Sequence, residues 1–579
     1  MRIGVSQGPQ RIVFSLKQGQ YGIRATSTLA LAKGARVRAI FRLNSALALL
    51  FAALSINAFA EGPISASGFE VSGNTLLPPE AIQARLAEYQ GDTSLARLKA
   101  AAAAVQELYR RAGYGGVVAF LPEQTAQDGV VRIRVVEGRL ARIEVSGNDH
   151  FSTENILASL PDLRAGQTPN VRLIDQQIQM ANESPVKTVQ VLLQPGQAPG
   201  AIDARLTVAE RPTQRFNLRL DNTGNASTGR WRSAIGWLDG DFMGHDQVVG
   251  LELQLAPEHP SDLVVASASY RRPIYARSMA FDAYFAWYDV TAGTTATAAG
   301  NLDFAGRGHV LGLRLSSFLP RQGNIDQRLV FGVEDRVYDN TCSIEGLPPG
   351  ACGSAGAGVE VQPLSVQYLG QSAGRITQNW ALGLSANLAA VGSRSDAASI
   401  QAVRAGARLH YGILRASYGG AMTFSDSTGR GNLGSISFRA AMQFSGDALI
   451  PGEQFGLGGA QNVRGYAERE VSGDRGLQAT LEYLSPALSQ LLAAAEPSPA
   501  ASPWQLRGVL FAEGGWVQNR LDLACAPGRT ICRLSSLGAG LRLSRKDLQA
   551  RLDWGHALRA GSTTRRGDNR LHFAISLAI

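Results

Sequence analysis

After its first 60 residues the chain has no apolar run of about 18 residues, the length a membrane-crossing helix needs. Histidines number 7 and cysteines 4, with neither HExxH nor CxxC spacing, so a metalloprotease or zinc-ribbon site is excluded. No GxxxxGK[ST] phosphate loop is present, which removes nucleotide hydrolysis as an energy source. The one GxSxG match, Gly4 to Gly8, lies in a basic leader without the strand-turn-helix context of a nucleophile elbow. No catalytic residue, metal site or cofactor is therefore assigned, and the chain is read as a non-enzyme. Acidic residues are missing from the first 60 positions, which hold 8 of the 56 basic residues. The remainder carries 48 basic residues against 47 acidic ones, a net charge of +1 that excludes nucleic acid as a partner.

The first 60 residues follow the order of a secretory signal. Arg36, Arg38 and Arg42 precede the apolar run 46–56, and Ala58-Phe59-Ala60 before Glu61 is a small-x-small cleavage site. The basic part is long, which fits either an extended signal (residues 1–60) or a start further downstream, such as at Val37. Export to an oxidising compartment agrees with the cysteines, which fall into two local pairs, Cys342 with Cys352 and Cys525 with Cys532. Turn formers flank each pair, so each is expected to staple one loop.

An internal repeat follows. Phe69-Glu70-Val71-Ser72-Gly73-Asn74 recurs as Ile143-Glu144-Val145-Ser146-Gly147-Asn148. In the first copy, helices are expected at 79–89 and 95–112, the second with Leu98, Val105 and Leu108 on one face, then strands at 116–121 and 130–137. The second copy gives helices at 153–160 and 171–183 and strands at 188–194 and 201–210. Each unit is β-α-α-β-β, a plan that buries one sheet face under two helices.

From Thr213 the hydrophobic period becomes two. Phe216, Leu218 and Leu220 alternate with Asn217, Arg219 and Asp221, and the last residues set Leu571, Phe573, Ile575, Leu577 and Ile579 against mostly smaller or polar neighbours. A water-soluble sandwich shows the same alternation, but the export signal, the arginines inside strands and the apolar final strand favour a cylinder in lipid. Such strands keep average hydropathy near zero, and the mean hydropathy is −0.05. Residues 213–579 allow about 23 residues per strand and connection for sixteen strands. Both barrel ends then lie in the periplasm. Residues 447–475 become the sixth external loop, with the cysteine pairs in the fourth and seventh, and the connection 489–503 is a long Ala/Pro/Ser-rich turn.

Within that loop, Gly458-Gly459 precedes Asn462-Val463-Arg464-Gly465-Tyr466, and Phe511-Ala512-Glu513-Gly514-Gly515 follows inside a strand. Two β-α-α-β-β units, an LGGxxxVRGY loop and an FxExG strand together resemble the transporter component of two-partner secretion. The repeats, 61–141 and 142–212, resemble polypeptide-transport-associated (POTRA) domains. Val463, Arg464, Gly465 and Tyr466 match the lid-loop motif, and Glu513, with Phe511 and Gly515, matches its wall partner, glutamate standing where aspartate is usual. Only a few residues separate Ala60 from the first strand, so no N-terminal plug helix is expected.

The resemblance implies an α+β pair of POTRA domains followed by an all-β transmembrane barrel of 16 antiparallel strands. It further implies a monomeric barrel in outer-membrane lipid that exports a secreted exoprotein, held unfolded in the periplasm, through a lumen gated by the lid. The alternative is an outer-membrane protein assembly factor, but only two repeats fit ahead of the barrel. A plain diffusion porin leaves the repeats unexplained.

Overall fold

The computed structural model describes residues 64–124, 129–224, 229–297, 300–339, 357–425, 432–488 and 504–579, with the dipeptide Ile12–Val13. The leader with its cleavage position, the expected lack of a plug helix, the Cys342/Cys352 pair and the 489–503 turn fall outside the described residues. Two compact units form. One comprises the described residues within Met1–Ser146 with Asp162–Ile174 and Gln190–Thr207; the other is Gly147–Pro161, Asp175–Val189 and Val208–Ile579.

The first repeat runs β1 (Gly68–Ser72), α1 (Pro79–Leu86), α2 (Leu95–Arg111), β2 (Val117–Phe120) and β3 (Val130–Glu137). β3 is central, parallel to β1 and antiparallel to β2. Its period-two pattern turns Val131, Ile133 and Val135 inward against Leu98, Val105 and Tyr109 of α2. Tyr109, rather than the expected Leu108, completes the buried helix face. Ser94 caps α2, its hydroxyl accepting from Arg97 N at 3.3 Å. The helix expected to reach residue 89 ends as α at Leu86 and tightens into a 3₁₀ turn over Ala87–Tyr89.

The second repeat has the same order: β4 (Arg139–Ser146), α3 (Thr153–Ala158), α4 (Val171–Ala181), β5 (Lys187–Pro195) and β6 (Ala201–Glu210), with β4 parallel to β6. One device recurs in both repeats. Gly73 and Gly147 take φ of +81° and +78°, and a Cβ at either would strike the carbonyl of Val135 or Val208. The glutamate two residues after that valine then receives the freed turn amides. Glu137 accepts from Thr75 N at 2.7 Å and Leu76 N at 2.9 Å; Glu210 accepts from His150 N at 2.8 Å and Phe151 N at 3.1 Å. The duplicated Ser-Gly-Asn and the closing glutamates are thus two halves of one lock.

Sixteen antiparallel strands close a barrel. They are β7 (Gln214–Asp221), β8 (Arg232–Phe242), β9 (Gln247–Leu255), β10 (Leu263–Ile274), β11 (Met279–Thr297), β12 (Gly300–Gln322), β13 (Ile325–Asp339), β14 (Val359–Val361 and Pro363–Ser372), β15 (Ile376–Asn387), β16 (Gly412–Ser425), β17 (Asn432–Phe444), β18 (Arg475–Ala487), β19 (Gln505–Gln518), β20 (Ile531–Arg545), β21 (Leu548–Ala557) and β22 (Asn569–Ala578). β14 is one strand interrupted at Gln362, both parts pairing with β13. First and last strands pair, Asn217 opposite Ala578, and Phe216 and Ile579 exchange both backbone hydrogen bonds at 2.9 and 2.8 Å. Closure leaves no sheet edge, as a bilayer demands.

Alternation decides the two faces. Phe216, Leu218, Leu251, Leu253, Phe438, Phe444, Leu571 and Leu577 are exposed on the outside of the cylinder, while Gln254, Glu334, Gln443, Glu513 and Asp553 are buried within it. Among the described residues no helix is long and apolar enough to cross a membrane. A short helix absent from the sequence reading, α5 (Ala397–Val403), lies between β15 and β16, N-capped by Asp396.

A candidate functional site inside the barrel

The connection between β17 and β18, the eleventh and twelfth barrel strands, occupies residues 445–474 and folds into the lumen. Its stem is a hairpin of two three-residue strands, Phe455–Leu457 and Val471–Gly473. Gly458 and Gly459 take φ of +110° and +114°, a conformation that L side chains rarely adopt. Asn462 closes the tip, its side-chain oxygen accepting from Gly458 N at 2.6 Å and Val463 N at 2.7 Å. That closure presents Arg464 to the wall.

Arg464 has 3% of its side chain exposed. Its Nε and Nη2 donate to Glu513 Oε1 at 3.0 and 2.7 Å, and its backbone N–H donates to Oε2 of the same carboxylate at 2.6 Å. Both oxygens of Glu513 are thus occupied by one residue of the loop. Nη2 also donates to Glu482 Oε2 on β18 at 2.9 Å, and Nη1 stands 3.3 Å from Asp553 Oδ1 on β21. The guanidinium carbon lies 3.4 Å from the centroid of the Phe511 ring, two residues before Glu513 and on the same face of β19. Arg542 of β20 donates to both oxygens of Asp553, at 2.7 and 3.2 Å. Two guanidiniums and three carboxylates therefore form one charge-assisted network.

The neighbours of Arg464 are fixed as well. Gly465 N donates to His572 Nε2 at 3.2 Å. Val463 and Tyr466 are fully buried and pack with Leu457, Val517, Leu534 and Ala557. The Tyr466 hydroxyl lies 2.9 Å from Ser535 O and 2.8 Å from Arg559 O, its single proton shared between them. Gly515 leaves room for the hairpin, since a Cβ there would stand 2.7 Å from Leu457 Cδ1. Glu470 accepts from Thr563 N at 3.0 Å and from Thr564 N at 2.7 Å, in the loop between β21 and β22. Burial pushes this carboxyl up, but the bonds from Thr564, Ala467 and Thr563 outweigh it and hold it below its ordinary value.

A second anchor lies six strands around the wall. Glu453 has 1% of its side chain exposed, and its Oε1 meets Arg336 Nη1 of β13 at 2.6 Å and accepts from the Tyr338 hydroxyl at 3.1 Å. At the loop's end Asp474 pairs with Arg404, Oδ1 to Nη1 at 2.5 Å and Oδ2 to Nη2 at 3.0 Å. Beside the loop the lumen holds a polar cavity of about 750 Å³ lined by residues including Arg219, Glu334, Arg415, Arg439, Glu453 and Arg551. A further cavity of about 440 Å³ is lined by Glu252, Arg271, Asp282 and Arg314, among others.

The structure thus brings Val463, Arg464, Gly465 and Tyr466 against Phe511, Glu513 and Gly515. Cys525 and Cys532 form a disulfide with Cα atoms 6.0 Å apart; Cys532 sits in β20 and packs in the Tyr466 cluster, while Cys525 is in the preceding loop. Glu482, Asp553, Arg542 and Glu453 were not found from sequence. Each is a charged residue on an inward strand position or in the loop stem, and only strand register or the loop path shows what it meets. Among the described residues no cluster suits a metal ion.

A family model described as "POTRA domain, ShlB-type" matches residues 64–138, and one described as "Haemolysin secretion/activation protein ShlB/FhaC/HecB" matches residues 200–542, over half of the chain. The outer membrane transporter CdiB of Dickeya dadantii strain 3937 is 26% identical over 380 residues, covering 64% of this chain and 63% of that protein. The CdiB of Escherichia coli O6:K15:H31 is 26% identical over 504 residues, covering 80% of this chain and 75% of that protein. The chain thus spans a little under two thirds of the first of these relatives and three quarters of the second. A solved structure of CdiB from Escherichia coli aligns over 90% of this chain and 92% of its own, with a TM-score of 0.71 and 21% identity, a likeness of fold.

Proposed function

The chain belongs to the haemolysin secretion/activation protein family, ShlB/FhaC/HecB, and from that premise we propose that it is the outer-membrane transporter of a two-partner secretion pair. Its cargo is a large secreted exoprotein, of the adhesin or haemolysin kind, received unfolded in the periplasm. Residues 61–141 and 142–212 act as the two POTRA domains that capture it, and 213–579 as a monomeric barrel that conducts it. No catalysis is involved. Sheet edges in the repeats accept the cargo as an added strand, main-chain hydrogen bonds giving affinity and alternate side-chain pockets giving selectivity. Folding outside makes return unfavourable.

The observation that carries this reading is a loop tip held inside a closed polar barrel by Arg464 and Glu513. Val463, Arg464, Gly465 and Tyr466 serve as the lid's tip, with Glu513, Phe511 and Gly515 as its seat. Opening exchanges the Arg464 contacts for water and frees the loop tip from the wall, so the gate needs no nucleotide. Deletion of the gene is the test. Loss of one exoprotein from the medium with a normal outer-membrane protein profile supports export; general loss of outer-membrane proteins points to an assembly factor.

A further inference from the structure

A second charged feature lies outside the lumen. At the loop-bearing end of the barrel a surface cavity of about 580 Å³ is lined by Arg529, Arg533, Arg559 and Arg566 together with Ile531 and Leu558. All four arginines are exposed, and among the described residues none of them forms an ion pair with a carboxylate. Arg529 donates to the backbone carbonyl of Ala560 at 2.9 Å, which fixes one wall without neutralising it. Four positive charges on one small concavity make a site for a multiply charged anion.

Strand alternation says which side of the wall this cavity faces. Along β20, Cys532, Leu534 and Ser536 are buried, so Ile531, Arg533 and Leu537 point outward. On β21, Trp554 is exposed on the same outer face, and Leu558 follows just past the end of the strand. Leu558 N donates to Ser535 O, which sets it level with the Arg533 end of β20. On β19, Trp516 stands directly opposite Arg533 and alternates with buried Val517, so it faces outward as well. Outward aromatic residues mark the interface of a membrane barrel, which puts the basic cluster at that level. Its apolar members, Ile531 and Leu558, continue the oily wall upward.

We propose that this cavity binds a phosphorylated glycolipid of the outer leaflet, the phosphates meeting the arginines and the acyl chains descending along Leu558 and Leu537. Guanidinium groups suit this role because their planar fork pairs phosphate oxygens bidentately. An acidic stretch of emerging cargo is the less fitting occupant, since it would leave the lumen on the other side of the wall from Arg533. The site adjoins the lid's cover, for the carbonyl of Arg559 receives the Tyr466 hydroxyl. The inference rests on the outer-membrane reading, which membrane fractionation tests separately.

The experiment is lipid binding by the full-length protein in detergent, with native mass spectrometry counting retained molecules of bisphosphorylated lipid A. One is expected to stay bound per chain. The combined Arg533→Gln, Arg559→Gln and Arg566→Gln variant should bind on the order of a hundredfold more weakly, at roughly fivefold per surface arginine. Arg545→Gln, near Trp504 at the opposite rim, should bind as the unaltered protein does. If the triple variant yields no heat-modifiable barrel, Arg533→Gln alone should still weaken binding about fivefold. Equal retention of lipid A by the arginine variants overturns the proposal. So does equal competition by inorganic phosphate or phosphatidylglycerol, which would make the cavity a general anion patch.

Discussion

Gly555 of β21 faces Gly465 of the inward loop so closely that a Cβ on Gly555 would stand 2.5 Å from the backbone nitrogen of Gly465 and 2.7 Å from the carbonyl carbon of Arg464. Two backbones meet there with no side chain between them. Gly555→Ala should displace the tip while leaving the outward face of β21 unaltered. Planar-bilayer recordings should then show a larger or more frequently open channel from a barrel that inserts normally. Unaltered conductance would mean that the tip tolerates a methyl group and is not seated as described.

Arg464→Ala removes the cation that faces Glu513, Glu482 and Asp553, leaving Arg542 beside Glu482 and Asp553, at 3.8 and 2.7 Å. Breaking a fully buried pair costs about 3–5 kcal/mol, and the wet lumen lowers that figure. Heat-modifiable barrel should remain in the outer membrane while exoprotein release falls and conductance changes. Arg464→Lys should rescue only part of the loss, because an ammonium cannot reproduce the Nε and Nη2 fork on one carboxylate. Full secretion by Arg464→Ala would remove the lid role.

How much of this site was legible in the sequence follows from what each residue needs in order to be recognised. Arg464 and Glu513 stand in local motifs and could be singled out by spacing. The barrel was legible because period two over hundreds of residues has few other physical causes, and closure through Phe216 and Ile579 needed only a final strand that stays oily to its end. Glu482 and Asp553 look like ordinary lumen-facing carboxylates; β19 pairs Glu513 with Thr480 and Ser536, and neither carboxylate is its direct neighbour. Glu453 sits in a Pro-Gly-Glu turn whose partner, Arg336, is 117 residues away. Helix α5 interrupts a region where strand alternation was expected, and seven residues carry too little periodicity to declare it.

The two anchors should act separately. Glu453→Gln leaves Arg336 with a weaker acceptor and should loosen the base of the loop while the Arg464 network holds the tip. Hydrogen exchange should speed in 451–457 and remain slow in 462–466. In a double-mutant cycle with Arg464→Ala, the effects on channel opening should add within about 0.5 kcal/mol, as expected for sites without shared partners. A larger coupling would mean that the loop moves as one rigid body.

The Cys525–Cys532 disulfide closes a short connection, and a loop of that size is stabilised by about 2–3 kcal/mol in the chain-entropy account. Because Cys532 packs with Tyr466, reduction should speed hydrogen exchange in 519–531 and also in 463–466. An effect confined to 519–531 would show that the disulfide does not support the tip.

Acid should loosen the first repeat. Burial pushes the Glu137 carboxyl up, but hydrogen bonds from Thr75, Leu76 and Tyr109 outweigh it and leave it below the ordinary glutamate value. A depressed carboxylate contributes stability that is present above the unfolded value, about 4.3, and is lost as pH falls through the folded one. Amide exchange at Thr75 and Leu76, corrected for intrinsic rates, should therefore rise below about pH 4. Glu137→Gln should abolish that rise; a variant with the same acid response would assign it to another group.

The most direct measurement is to lock the tip in its seat. Thr480 Oγ1 lies 3.4 Å from the backbone carbonyl oxygen of Asn462, so the loop tip passes beside this strand position. Paired Gln461→Cys and Thr480→Cys substitutions, with the four native cysteines changed to serine, put one thiol on the loop and one on the wall there and keep the Asn462 side chain that closes the tip. Once oxidised, this protein should stop releasing its exoprotein, and reduction should restore release. Undiminished secretion from quantitatively cross-linked barrels would contradict an account in which this loop must leave the lumen for cargo to pass.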